Sequence, residues 1–314
     1  MTPDLALLFP GQGSQSVGMG RAFYDVVPEV RNVYEEATGI LGYDIAKLCF
    51  DGPADRLNAT EYTQPALLTV SIAALRAFEP AGIRSIAVAG HSLGEYSALV
   101  AAGGLTFGAA VSLVQKRGRY MAEAVPPGRG LVAAVLGVSK EVVNEACREA
   151  ASIGIVSPAN FNCPGQIVIA GDKAAVERAI ELMKAKGCRK AIPLPVSVPV
   201  HTPLMQDAAN RLAHDVDRAI WSDLKMPLIN NAEARPLRLA ADLKASVIRQ
   251  LPSPVLWEES IKVMQGMGVK TFIEVGPGTV LTGLVKRIAP DATTLNVQDS
   301  QSLDATVKTL TVNR

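Results

Sequence analysis

Short apolar runs alternate along this chain with longer stretches whose apolar residues recur at helical spacing. Leu5–Phe9 reads as a buried strand ending in the loop Pro10-Gly11-Gln12-Gly13, and Gly20–Leu41 as a helical stretch. Ala66–Ala77 is apolar nearly all round, the mark of a buried helix. Ile86–Ala89 is a short strand-like run ending at Gly90, and helix-forming sequence follows from Leu93 to Ala102. Strands alternating with helices predict a mainly parallel sheet covered on both faces.

The middle of the chain departs from that rhythm. After the Pro126-Pro127-Gly128 break, strands are expected over 131–138, 155–160, 166–170 and 190–195, with helices over 140–151 and 173–186. The order β-α-β-β-α-β is that of the split ferredoxin-like unit, here about 60–70 residues, within the lower range for a domain. The chain is therefore expected to divide into an α/β unit of residues 1–127 and 197–314 and an inserted small domain of residues 128–196.

Composition then removes several classes. The 314 residues are 48% hydrophobic and 19% charged, which supplies a large core and excludes a disordered chain. Lys and Arg number 31 against 30 Asp and Glu, a formal net charge of +1 that lacks the basic excess of a nucleic-acid-binding protein. No run approaches the roughly 20 apolar residues that cross a bilayer. The first apolar run is too short for a secretory leader, with Asp4 where a cation is wanted. Cys49, Cys147, Cys163 and Cys188 form no CxxC pair and have no metal-ligand spacing, so free thiols are expected and no metal site. A cytoplasmic protein with neither nucleic-acid nor membrane partners is the resulting expectation.

Gly90-His91-Ser92-Leu93-Gly94 matches G-x-S-x-G between an expected strand and an expected helix. That turn is tight, and a side chain at either glycine would crowd the neighbouring strand and helix. It lifts the Ser92 hydroxyl above the sheet edge as a nucleophile and leaves the Leu93 N–H at a helix N-terminus, where an oxyanion can develop. The serine needs a base, and the chain has three histidines. His91 adjoins Ser92 and points elsewhere on the turn, reading as a packing or orienting residue; His214 lies in a polar helical stretch. His201, in Val198-Pro199-Val200-His201-Thr202-Pro203, follows a strand, precedes a helix and stands downstream of the serine, so it is the base by elimination.

No acid between Ser92 and His201 stands at an obvious strand end; Asp172 and Asp207 read as helix-start or helix-surface residues. A backbone carbonyl can hold the Nδ1 proton as well, so dyad and triad both stay open. The Gly11-Gln12-Gly13-Ser14-Gln15 loop at a strand end offers a second backbone N–H to an oxyanion, though it is neither G-x-G-x-x-G nor a P-loop. Arg117, in Lys116-Arg117-Gly118-Arg119, reads by itself as a solvated arginine.

Together these stretches resemble the malonyl-CoA:acyl carrier protein transacylases of type II fatty acid synthesis. The resemblance is carried by FPGQGSQ at 9–15, TQPALL at 63–68, GHSLGEYSALVAAG at 90–103 and QKRGRYMAEAVP at 115–126. It continues through NFNCPGQIVIAG at 160–171, LPVSVPVHTPLM at 194–205, RQLPSPVLW at 249–257 and EVGPGTVLTGL at 274–284, and so spans the whole chain in order. It implies an α/β-hydrolase-like large domain with an inserted ferredoxin-like small domain. It implies that Ser92 takes the malonyl group and that His201 serves as general base and then acid. The oxyanion would be held by the Gln12 and Leu93 N–H groups. Arg117 would bind the free malonyl carboxylate as a guanidinium fork, and Gln250 would line the site and orient His201 through its backbone carbonyl.

The implied reaction is ping-pong, from malonyl-CoA to the phosphopantetheine thiol of an acyl carrier protein, with no cofactor and no metal. An acidic carrier calls for a basic face, for which Lys116, Arg119, Arg189, Lys190, Lys286 and Arg287 are candidates. Val200 stands where relatives often carry small or polar residues, which bears on extender tolerance, and Cys163 reads as structural. Three alternatives stand beside this reading. A serine thioesterase would use water as acceptor and leaves Arg117 unexplained. A malonyl transferase loading a polyketide synthase or malonate decarboxylase carrier would use the same site. A non-catalytic carrier-binding scaffold would have no use for Ser92, His201 and Arg117 together.

Overall fold

The computed structural model describes residues 4–126, 128–194 and 198–312. Among the described residues, ten strands form two sheets. They are β1 (Leu5–Phe9), β2 (Ala87–Gly90), β3 (Gly130–Leu136), β4 (Val156–Cys163), β5 (Gln166–Asp172), β6 (Lys190–Pro193), β7 (Leu228–Ile229), β8 (Pro236–Leu237), β9 (Thr271–Val275) and β10 (Thr293–Val297). The larger sheet runs β10-β9-β1-β2-β7-β8 and is parallel except for the β7–β8 pair at its edge.

Its central strands are apolar at every position because both faces are covered. Leu5, Leu7 and Phe9 of β1 join the core under one layer of helices, while Ala6 and Leu8 join a second core around Trp257 and Phe272 on the other face. The helix Thr60–Phe78 is buried along almost its whole length, as its unbroken apolar character requires. The helical stretch read as Gly20–Leu41 is in fact two helices, Arg21–Val26 and Pro28–Leu41. Pro28 forces the preceding residue out of the α region, and Val27 is extended at φ −116° and ψ 106°.

The four-stranded sheet is antiparallel in the order β4-β5-β3-β6, with the helices Lys140–Ala150 and Lys173–Ala185 on one face. This is the ferredoxin-like arrangement expected from the element order. Alternation along β3 and β5 sends Ala133, Val135, Ile167 and Ile169 toward those helices and Val132, Ala134, Val168 and Ala170 to the opposite face. The division expected at 127/128 and 196/197 falls on Pro127, Val196 and Ser197, and the last residue expected in β6 is Pro195; all four lie outside the described residues.

Two loops leave the same end of the large sheet. The parallel pairing of β1 with β2 sets Phe9 beside Gly90, so the loop carrying Gln12 and the turn carrying Ser92 emerge side by side. A Cβ at Gly11 would overlap the His91 carbonyl, one at Gly94 the Phe9 carbonyl, and one at Gly90 the Gly94 backbone. These glycines are needed for close approach rather than for flexibility. No helix among the described residues is long and apolar enough to cross a membrane.

Candidate active site

Ser92 sits on the turn between β2 and the helix Gly94–Ala102 at φ 51°, in the left-handed region that a non-glycine residue seldom occupies. His201 is likewise left-handed at φ 65°, in the segment leading to the helix Gln206–Arg218, and it is buried. The two side chains meet, with 2.7 Å between Ser92 Oγ and His201 Nε2. On the far side of the ring, Nδ1 lies 3.0 Å from the backbone carbonyl oxygens of both Gln250 and Ser253. Carbonyl oxygens only accept, so Nδ1 carries the proton and donates to them, and Nε2 keeps its lone pair for the Ser92 hydroxyl proton. The question left open between dyad and triad is thereby answered: His201 is oriented by two carbonyls and by no carboxylate. Asp172 instead accepts from Arg129 and the Ile155 N–H, and Asp207 is exposed in the first turn of its helix.

Burial, reinforced by the charge of Arg117, lowers the His201 imidazole from its usual 6.5 to about 3, against the pull of the two carbonyls. This imidazole is therefore neutral throughout the neutral range. NMR of its ring nitrogens is expected to show the Nδ1–H tautomer persisting at pH 5, where an ordinary histidine is mostly protonated. A titration of His201 centred between 6 and 7 would contradict this. The same shift makes folding less favourable as pH falls below 6.5, because the unfolded chain then binds a proton that the folded one refuses.

Arg117 lies in the helix Phe107–Ala124 and is 1% exposed, so the solvated arginine of the sequence reading gives way to a buried cation. Its Nη1 donates to Gln64 Oε1 at 2.8 Å and its Nη2 to Gln250 Oε1 at 3.1 Å, and Nη2 stands 3.4 Å from Ser92 Oγ. Its Nε has no acceptor and its guanidinium no carboxylate partner among the described residues. A buried cation held by two amide oxygens, beside the Ser92 hydroxyl and with the Tyr96 ring 5.7 Å away, is poised for an anion.

Gln12 and Leu93 both line the cavity of about 90 Å³ above Ser92, with His91 and His201. Neither of their backbone N–H groups has an acceptor among the described residues, which leaves both free for an oxyanion. Arg117 and Asn160 also line it, and the rest of the wall is apolar: Met121, Val132, Val168, Leu194 and Val200. Val132 and Val168 come from the outer face of the small sheet, so that sheet closes one side of the cavity. His91 is an orienting residue, its Nε2 2.9 Å from Asn162 Oδ1 and its ring edge-on to Trp257. His214 is exposed, and Cys163 is buried in the core around Trp257.

Three contributors were not visible in the sequence as site residues. Gln64 lies within a quoted motif but carries no pattern that assigns it a donor. Ser253 acts through its carbonyl, which every residue possesses. Asn231, 139 positions from Ser92, accepts from the Ser92 N–H at 2.7 Å, and only the tertiary fold brings it there.

The comparisons with known proteins agree with this geometry. Residues 6–304 match the acyl transferase domain family. The chain is 47% identical to the malonyl CoA-acyl carrier protein transacylase of Bacillus subtilis (strain 168), over 98% of this chain and 97% of that protein. Among solved structures, an acyl carrier protein S-malonyltransferase from Vibrio cholerae superposes with a TM-score of 0.94 at 46% identity, covering 96% of this chain and 99% of that one. A malonyl-transacylase in complex with a type II PKS acyl-carrier protein superposes with a TM-score of 0.95 at 43% identity, covering 98% and 99%.

Proposed function

The chain belongs to the malonyl CoA-acyl carrier protein transacylases, and from that premise we propose how its residues move a malonyl group from malonyl-CoA to the phosphopantetheine thiol of an acyl carrier protein. The observation that carries the reading is Arg117, a buried guanidinium without a carboxylate partner among the described residues, 3.4 Å from the nucleophile. A hydrolase for neutral esters has no use for it. An acyl group ending in a carboxylate does.

In this scheme Ser92 Oγ gives its proton to His201 Nε2 and attacks the thioester carbonyl, while the Gln12 and Leu93 N–H groups hold the developing oxyanion. The carbon–sulfur bond breaks, and the CoA sulfur leaves with the proton from His201. Arg117 neutralises the malonyl carboxylate and fixes the resulting ester on Ser92. The carrier thiol then gives its proton to His201 and attacks that ester, and Ser92 leaves as the alcohol on taking the proton back. No cofactor enters, because the thioester already carries the activation. Residues 1–127 and 197–314 act as the catalytic unit and 128–196 as the small domain that walls the acyl pocket.

Fatty acid biosynthesis in the cytoplasm is the setting that best suits this activity. A second reading, delivery to a polyketide synthase carrier, is favoured by the structural relative bound to a type II PKS acyl-carrier protein. Relative kcat/KM with the two kinds of carrier separates them. The basic residues suited to an acidic carrier narrow to Arg189, Lys190 and Lys286, which are exposed. Lys116 is paired with Asp215 and Arg119 with Glu123, and Arg287 donates to Gln166 Oε1 and the Pro164 carbonyl.

Intact-protein mass spectrometry after brief mixing with malonyl-CoA tests the reading. An adduct of about 86 Da on the wild type, absent from Ser92→Ala and discharged by holo carrier protein, is expected. An adduct discharged as fast by buffer as by carrier would favour the thioesterase reading.

A further inference from the structure

We propose that Asn231, held in place by Glu95, is the positioning residue that keeps the Ser92 turn in its reactive shape. The inference rests on Ser92 being the residue that takes up the acyl group. A serine at φ 51° is strained and persists only where its surroundings over-determine it. The surroundings here are specific. The Asn231 carboxamide spans the turn, accepting from the Ser92 N–H at 2.7 Å and donating to the Gly90 carbonyl at 2.7 Å. Its Oδ1 also lies 3.3 Å from Gln250 Nε2, which donates to the Ser92 carbonyl at 3.0 Å. Both backbone polar groups of Ser92 are thus taken up by one pair of buried amides.

Asn231 follows β7, the strand beside β2, and its own N–H donates to Glu95 Oε2 at 2.8 Å. Glu95 stands in the first turn of the helix that begins at the nucleophile turn, and both residues are fully buried. The segment after β7 is therefore fastened to this turn at residues 90, 92 and 95. Loss of the fastening lets Ser92 relax toward ordinary φ values and carries Oγ away from His201 Nε2 and from the free N–H groups of Gln12 and Leu93. Neither Asn231 nor Glu95 lines the acyl cavity, so substrate hold is left to Arg117.

The test measures two rates on the full chain: phosphonylation of Ser92 by a fluorophosphonate, and acylation by malonyl-CoA in quenched flow. The phosphonylation arm reports on Ser92 whatever the natural acyl donor is, so it stands even if malonyl transfer is not the activity. Asn231→Ala is expected to lower both rates by about 10²-fold, the cost of a misplacement on the ångström scale, with KM for malonyl-CoA within about twofold of wild type. Burial raises the Glu95 carboxyl to about 7, opposed by the Asn231 N–H and Arg117, so its hold on Asn231 does not require a full charge. Glu95→Gln, which keeps an acceptor for that N–H, should accordingly retain most of the rate that Glu95→Ala loses. This Glu95 pair decides the matter if Asn231→Ala fails to fold. The proposal is overturned if folded Asn231→Ala reacts with the fluorophosphonate within about threefold of wild type, if KM rises as far as kcat falls, or if Glu95→Gln and Glu95→Ala lose equally.

Discussion

Ser92→Ala lowers malonyl transfer by about four to six orders of magnitude, and His201→Ala by nearly as much. In the proposed scheme the serine oxygen forms the covalent intermediate, so without it the carrier thiol must attack bound malonyl-CoA directly. The histidine cannot be replaced locally: the Nε2 lone pair at 2.7 Å from Ser92 Oγ exists only because two carbonyls fix the proton on Nδ1. Because the two groups act on one proton, the double variant is expected to be no slower than the slower single variant. Initial rates of carrier loading for the three variants check this. Additive losses would show that Ser92 and His201 act in separate steps.

Arg117→Ala is expected to lower the malonyl-to-acetyl ratio of kcat/KM steeply. A buried charge pair broken at one partner costs about 2–5 kcal/mol, so kcat/KM for malonyl-CoA should fall by about 30- to 4,000-fold. An acetyl group has no carboxylate to lose, and acetyl-CoA transfer should fall far less, by the amount that unpairing the Gln64 and Gln250 amide oxygens disturbs Ser92. Arg117→Lys keeps the charge and gives up the fork that reaches Gln64, Gln250 and the substrate together, so an intermediate ratio is expected. The measurement is the malonyl-to-acetyl ratio of kcat/KM in each variant. A ratio unchanged in Arg117→Ala would remove the arginine from acyl recognition and return the thioesterase to contention.

Much of this protein is written locally. The strand at Leu5–Phe9, the buried helix around Ala66–Ala77, the Gly90–Gly94 turn and the β-α-β-β-α-β order each follow from periodicity and glycine placement within a dozen or so residues, and each appears in the structure where expected. Pro28 misled only because its effect falls on Val27, the residue before it, and splits a continuous helical pattern. Ser92 was legible from its turn and His201 by elimination among three histidines. Their partners were legible only through resemblance, as with Gln250 and Arg117, or not at all, as with Ser253, Gln64 and Asn231.

The reason is the range over which each interaction acts. Hydrophobic period, helix-breaking prolines and glycines that permit close approach act between residues near in sequence, so the chain by itself determines the elements and the nucleophile's turn. Orientation of an imidazole by backbone carbonyls leaves no mark on side-chain identity, and an arginine reads the same whether solvated or 1% exposed. What Arg117 and Asn231 do was decided by the packing of the helix Phe107–Ala124 and of the segment after β7 against the β2 turn, contacts 25 and 139 residues apart in the chain. Only the closed tertiary structure removes water from that arginine and gives the strained serine two amides to hold it.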